Sequence, residues 1–239
     1  MKISSSSNGI FKELKALSTS KGLKEQGRTL VSGRKITHEV FRKYSSKDIF
    51  WVCGPNMEIP TPDLKNIELS AELFHEVDSL GTKAPLLSVP LPTKLAWTDL
   101  DSQTPALFCA ATDPSNLGAI ARSMVAFGVE QLVVLKEAAH PFLPRCLRAS
   151  SGLIFDLRIF DGPSIHELDA SNLFALDMHG KDIAKVEAPQ NWKLLVGEEG
   201  QGIPKSFKGT RVSIPMTKKA ESLNVAIATS IWLHRRYPV

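Results

Sequence analysis

At 239 residues with 43% apolar side chains, the chain is long enough for one large domain or two modest ones around a real core. No run of eighteen apolar residues occurs and Met1–Gly9 has no apolar stretch, which argues against a membrane span and a secretory signal and makes the cytoplasm the default compartment. The net charge of +4 is uneven: residues 1–50 carry eleven Lys or Arg against four acidic residues, while residues 51–239 carry eighteen against twenty-one.

In chain order, the polar start with Ser4–Ser7 reads as a solvated, partly disordered leader over residues 1–25. Glu39–Lys43 reads as the end of a short helix, and Ile49–Cys53 as a buried strand stopped by Gly54-Pro55. Ser70–Leu80 is helical by pattern, with Ser70 as N-cap, Leu73, Phe74, Val77 and Leu80 on one face, and Gly81 at its end. Pro85, Pro90 and Pro92 then punctuate Gly81–Thr98, read as the link between two lobes.

From Pro105 onward, short apolar runs alternate with amphipathic segments. The candidate strands are Ala106–Ala111, Gln131–Leu135, Leu153–Ile159, Leu173–Leu176, Lys193–Val196 and Arg211–Ile214. A helix over Asn116–Phe127 turns Leu117, Ile120, Ala121, Met124 and Val125 inward and closes at Gly128. The last helix, Glu221–Arg236, carries Leu223, Ala226, Ile227, Ser230, Ile231 and His234 as its stripe. The alternation predicts an α/β domain with a mostly parallel sheet. Cys53, Cys109 and Cys146 are odd in number and far apart, which predicts reduced packing residues, with neither a disulfide framework nor a metal site.

Three segments place small and polar residues at strand ends, where open α/β sheets bind ligands: Asp113–Arg122, Leu195–Pro204 and Ile214–Met216 with Ser222–Val225. The first lacks G-x-G-x-x-G, and Gly197–Gly202 has no Lys-Ser or Lys-Thr behind it, so a dinucleotide fingerprint and a P-loop are both missing. Asp113-Pro114 is also ordinary helix-start chemistry, Ser222 and Asn224 are candidate caps of the last helix, and Arg122 reads equally as a surface arginine.

Asp113-Pro-Ser-Asn-Leu-Gly-Ala-Ile-Ala-Arg122, Leu195-Val-Gly-Glu-Glu-Gly-Gln-Gly-Ile203, and Ile214-Pro-Met with Glu221-Ser-Leu-Asn-Val225 resemble the three ordered motifs of the SpoU/TrmH family of RNA ribose 2′-O-methyltransferases, within the SPOUT superfamily. Ile36–Leu95 resembles, less closely, the small RNA-binding domain similar to ribosomal protein L30e that many members carry. The resemblance implies a flexible leader (1–25), an L30e-like domain (26–95) and a SPOUT methyltransferase domain (96–239) with a C-terminal trefoil knot. It also implies S-adenosyl-L-methionine as cofactor, structured RNA as substrate, ribosomal before transfer RNA, and a homodimer. By position, Gly197, Ile214, Met216, Ser222 and Leu223 correspond to cofactor-contacting residues. Arg122 corresponds to the catalytic arginine, and Asn116, Glu199, Ser222 and Asn224 to the polar positions around it. Their retention together weighs against the alternative of a catalytically inactive RNA-binding relative.

Overall fold

The computed structural model describes residues 1–168, 171–217 and 219–237. They form two compact units: Met1–Pro92 joined by Phe142–Phe155, and Thr93–Pro141 joined by the chain from Asp156 onward.

Unit 1 contains β1 (Lys2–Ile3), α1 (Gly9–Ala16), α2 (Ser20–Gln26), β2 (Arg28–Val31), α3 (Arg34–Phe41), β3 (Phe50–Cys53), β4 (Asn66–Leu69), α4 (Ala71–Val77) and β5 (Leu86–Pro90). Its mixed sheet runs in the order β1-β4-β3-β5-β2, with β5 antiparallel to both its neighbours. The stretch expected as a flexible leader is built into this unit. β1 pairs in parallel with β4, Asn8 caps α1 by accepting from the Ile10 and Phe11 amides, and Phe11, Leu14 and Leu23 are buried. Phe11 and Leu14 recur at helical spacing, but the charged Lys12, Glu13 and Lys15 around them lend the segment a disordered-looking composition. The expected linker is likewise corrected: Leu86–Val89 are buried inside the sheet, and Pro90 ends the strand, where a missing N–H costs least. Helix α4 stops at Val77 because the buried Asp78 carboxylate accepts from the Lys83 amide and the Thr82 hydroxyl, leaving Leu80 beyond its face.

Unit 2 contains β6 (Leu95–Ala96), β7 (Ala106–Cys109), α5 (Pro114–Ala126) and β8 (Gln131–Val134). The chain next makes α6 (Pro144–Ala149) within the Phe142–Phe155 segment of unit 1. It returns as β9 (Arg158–Asp161), β10 (Phe174–Asp182), β11 (Lys193–Val196), β12 (Thr210–Ser213) and α7 (Val225–Arg236). The seven strands lie in the order β12-β10-β11-β7-β8-β9-β6, and every pairing is parallel. Strands covered on both faces read as continuous apolar runs, as Ala-Leu-Phe-Cys, Gln-Leu-Val-Val and Lys-Leu-Leu-Val do here. One face of the sheet contributes Phe108, Val133, Phe160, Ala175 and Leu195 to a single apolar cluster.

Helix α5 starts at Pro114, two residues before the expected Asn116 and at the helix-start signal of Asp113-Pro114, with the Asp113 carboxylate accepting from the Ser115 amide, and Gly128 follows it at φ +68°. Two sequence expectations are corrected here. Leu153–Asp156 is a short 3-10 turn in place of a strand, so only the end of that apolar run enters β9. Helix α7 begins at Val225, capped by Asn224 and not Ser222, and buries Ala226, Thr229, Trp232 and Leu233. Ile227 and Ile231 of the expected stripe are 53% and 37% exposed. Trp232 decides this rotation: its ring packs 5.3 Å from Phe174 and 5.7 Å from Trp192 by ring centroid.

Candidate active site

The four adjacent strands β12, β10, β11 and β7 are parallel, so the chain leaves all of them at one edge of the sheet. The strand order also reverses at β7, with β8 and β9 on one side and β11, β10 and β12 on the other. That combination opens a crevice beyond the carboxyl ends of the strands. Here it measures about 540 Å³ and is walled by Asn116 of α5, Gly197–Ile203 after β11, Ile214 and Met216 after β12, and Ser222–Val225 leading into α7. Asn116, Glu199, Ser222, Asn224, Gly197, Ile214, Met216 and Leu223 are thereby brought together. Arg122 is not: it stands exposed on α5 outside this lining, with no hydrogen bond or ion pair among the described residues.

A carboxylate organises the polar side. Glu199 Oε2 accepts from the Thr112 amide at 2.6 Å and the Thr112 hydroxyl at 2.5 Å, and Oε1 accepts from the Asn116 side-chain amide at 3.1 Å. Partial burial pushes the Glu199 carboxyl upward, but the Thr112 and Asn116 bonds outweigh it and hold the group below its ordinary value. Asn116 Oδ1 in turn accepts from Asn224 Nδ2 at 2.9 Å, while Asn224 Oδ1 caps α7 by accepting from the Ala226 and Ile227 amides at 2.9 and 3.3 Å. One chain of bonds thus ties the ends of β7 and β11 to the start of α7. Beneath it, burial pushes the Cys109 thiol up to about 12, so this cysteine packs as a neutral group.

The glycine-rich turn has its own steric demand. A Cβ on Gly197 would lie 2.5 Å from the Gly202 carbonyl oxygen, because the turn folds back with Gly202 N–H donating to Glu198 O at 2.9 Å. Gly200 and Gly202 have φ of +89° and +69°, a region costly for side chains.

The sequence reading missed one wall. Leu176 and Lys181 both align with Val212, so Asp177–Gly180 loop out of β10 and bring Leu176, Asp177 and Met178 into the cleft lining. Asp177 pairs with Arg211, whose other amino group donates to the Pro204 carbonyl at 2.6 Å, tying the excursion to the chain after the glycine turn. A polar Asp-x-His-Gly run directly after an apolar strand was the available signal. Among the described residues no group of three or more His, Cys, Asp or Glu is placed to hold a metal ion.

Comparison with known proteins identifies the family and the fold. The sequence model of the SpoU rRNA Methylase family matches residues 106–234. Over 98% of its length the chain is 34% identical to "Ribosomal RNA small subunit methyltransferase G 2" of Syntrophobacter fumaroxidans, spanning 48% of that protein. Over 78% of its length it is 34% identical to the 23S rRNA (uridine(2479)-2′-O)-methyltransferase of Streptomyces viridochromogenes, spanning 63% of it. A 23S rRNA (guanosine(2553)-2′-O)-methyltransferase of Bacillus subtilis is 26% identical, with 97% of both chains covered. The chain therefore spans about half to two thirds of the first two relatives. Among solved structures, the AdoMet-bound rRNA methyltransferase of Sinorhizobium meliloti superposes with a TM-score of 0.79 at 21% identity, covering 99% of this chain and 97% of that one. The SpoU methyltransferase AviRb of Streptomyces viridochromogenes with AdoMet gives 0.79 at 24%, covering 96% and 97%. Both share the fold.

Proposed function

The chain belongs to the SpoU rRNA methylase family, and from that membership we propose that it methylates a ribose 2′-hydroxyl in structured RNA, with S-adenosyl-L-methionine as methyl donor. The observation that carries the reading is the convergence of eight motif residues from three separate segments on one strand-end cleft. The cleft suits the cofactor: its volume lies in the range of roughly 300–1,000 Å³ usual for small-molecule sites, and it sets apolar Leu176, Met178 and Leu223 beside the glycine turn.

Bound there, the cofactor supplies an electrophilic methyl group. The chain's own residues hold and orient. Gly197, Ile214, Met216, Ser222 and Leu223 form the cofactor cradle, and the Glu199–Asn116–Asn224 bonds support a positioning role for all three. Glu199, with its acceptors occupied and its basicity lowered, serves to fix the loop. A guanidinium offers only hydrogen-bond donors and a positive charge, so the role of Arg122 is to hold and polarise the ribose and neighbouring phosphate. Positioning of this kind supplies much of the rate in a direct transfer.

The names of the relatives favour ribosomal over transfer RNA. The insertion of β10 between β11 and β12 supports a C-terminal trefoil knot, and the mixed sheet of unit 1 supports an L30e-like RNA-binding role. The exposed Ile227, Ile231 and Tyr237 support a homodimer formed through α7. A cytoplasmic site of action fits a ribosomal RNA substrate. Titration calorimetry in the presence of a chelator should show one S-adenosylmethionine per chain, and mapping of 2′-O-methyl sites in RNA from cells with and without the protein should reveal one lost site. Cofactor binding with no lost site would favour the catalytically inactive relative; no binding would remove the enzyme reading.

A further inference from the structure

Unit 1 holds a second cleft, of about 780 Å³, that the methyl-transfer chemistry does not use. Arg34, Lys35, His38 and Arg42 line it from α3 and the residue after it, Phe41 lies among them, and Trp51 of β3 adds an indole. Arg34, His38 and Arg42 follow each other at four-residue intervals, so they stand above one another along the helix. Arg34, Lys35 and Arg42 are exposed and have neither an ion pair nor a hydrogen bond among the described residues. The lining has a single acid, Glu58. The arrangement runs against the stability of the helix itself: its first turn has two cations, no acidic residue and no side-chain cap from Gly33. Cations concentrated where the fold gains nothing from them call for an anion from outside.

The aromatic groups say which kind of anion. Trp51 is 2% exposed and its indole N–H is held by the Thr61 hydroxyl at 3.2 Å, so it is a fixed floor, while Phe41 is only partly covered. A paired base inside a duplex offers neither face to a concave wall, whereas an unstacked base can enter and lie against a ring. We propose that this cleft binds an unpaired stretch of RNA, its phosphates on Arg34, Lys35 and Arg42 and a base against Phe41. The proposal rests on the reading of the chain as an RNA methyltransferase and names the part of the substrate that unit 1 takes.

The test uses the full chain and two fluorescent probes, a ten-nucleotide oligoadenylate and a ten-base-pair RNA duplex, with anisotropy measured across a salt series. The single strand should bind at least about tenfold more tightly than the duplex. Arg34→Gln with Arg42→Gln should weaken single-strand binding tenfold or more and flatten its logarithmic salt slope by roughly 1.4, about 0.7 per phosphate contact. Phe41→Ala should weaken it roughly fivefold to hundredfold at an unchanged slope, and Phe41→Tyr should restore it. Far-UV circular dichroism and the thermal midpoint should stay at the parent values in every variant, which certifies folding, and S-adenosylmethionine affinity should be unchanged because its site lies in unit 2. Equal affinity for the duplex, variants that bind as the parent does, or a parent that binds neither probe would each overturn the proposal. A parent that binds oligoadenylate but not S-adenosylmethionine would instead sink the methyltransferase reading.

Discussion

At the scale of single residues, Glu199 is the member whose loss propagates furthest, since Thr112 and Asn116 donate to it and Asn224 donates to Asn116. In Glu199→Gln the amide NH2 must face either the Thr112 donors or the Asp113 and Asn116 donors, and the expected cost at pH 7 is about 1–2 kcal/mol, held down by solvent access to the loop. Because the folded-state pKa of Glu199 is depressed, its contribution is present above the ordinary carboxylate range and is lost as pH falls through the depressed value. Urea midpoints of parent and variant should therefore differ at pH 7 and converge as the pH is lowered below the ordinary carboxylate range. A gap that widened on acidification would contradict the assignment. Asn224→Ala removes both the α7 cap and the bond to Asn116, for about 1 kcal/mol of stability, and combined with Asn116→Ala it should show a coupling of about 0.5 kcal/mol or more in a double-mutant cycle. Arg122→Ala should retain S-adenosylmethionine affinity and lose methyl transfer by at least about a hundredfold in single-turnover assays; activity within a few fold would return Arg122 to an ordinary surface position. Gly197 carries a lesson about motif reading. The resemblance places it among the cofactor-contacting residues, but its backbone lies tight against Gly202, so a Gly197→Ala variant has to open the turn before any ligand arrives.

At the scale of elements, the strands of unit 2 were readable because burial on both faces writes itself as an unbroken apolar run, and Lys193–Val196 falls where the pattern placed it. The β10 excursion was not readable, since two residues five positions apart, Leu176 and Lys181, align with one Val212 only once β12 lies alongside. Helix α7 shows the same limit differently. Its sequence is apolar on more than one side, so periodicity alone selected Ile227 and Ile231, whereas packing against Phe174 and Trp192 selected Trp232. The side left outward is then available for association. If the proposed homodimer forms through this side, the parent should sediment as a dimer and Ile231→Glu as a monomer in analytical ultracentrifugation, with the thermal midpoint within a few degrees, because that side chain is already 37% exposed. A parent that sediments as a monomer, or a variant that sediments as the parent does, would overturn the proposed α7 dimer.

At the scale of the whole molecule, the division into two units does not follow a single cut in the chain. Phe142, Cys146, Leu147 and Ile154 lie in the later segment that belongs to unit 1, and all four are buried. Deleting residues 1–92 therefore leaves an apolar segment without its partners. The remaining fragment should bind more of an apolar dye and aggregate more readily on heating than the full chain, while a version with residues 142–155 replaced by a glycine-serine linker should regain solubility and S-adenosylmethionine binding. Equal dye binding by the simple truncation and the full chain would mean that this segment is no integral part of unit 1.

From the residues alone came the parallel α/β class of the C-terminal half, the Asp113-Pro114 start of α5, the reduced buried cysteines, and the three strand-end segments that meet at one cleft; the family resemblance picked out the eight residues within them that line it. Each of these is local: a burial pattern, a cap, or a motif whose members sit a few positions apart. Tertiary structure alone decided that the leader is folded, that β5 runs through a proline-marked stretch, that α7 turns Trp232 inward, and that Arg122 lies apart from the Glu199 network. These outcomes depend on partners dozens of residues away, and a chain does not announce in its local spacing which distant surface will cover it.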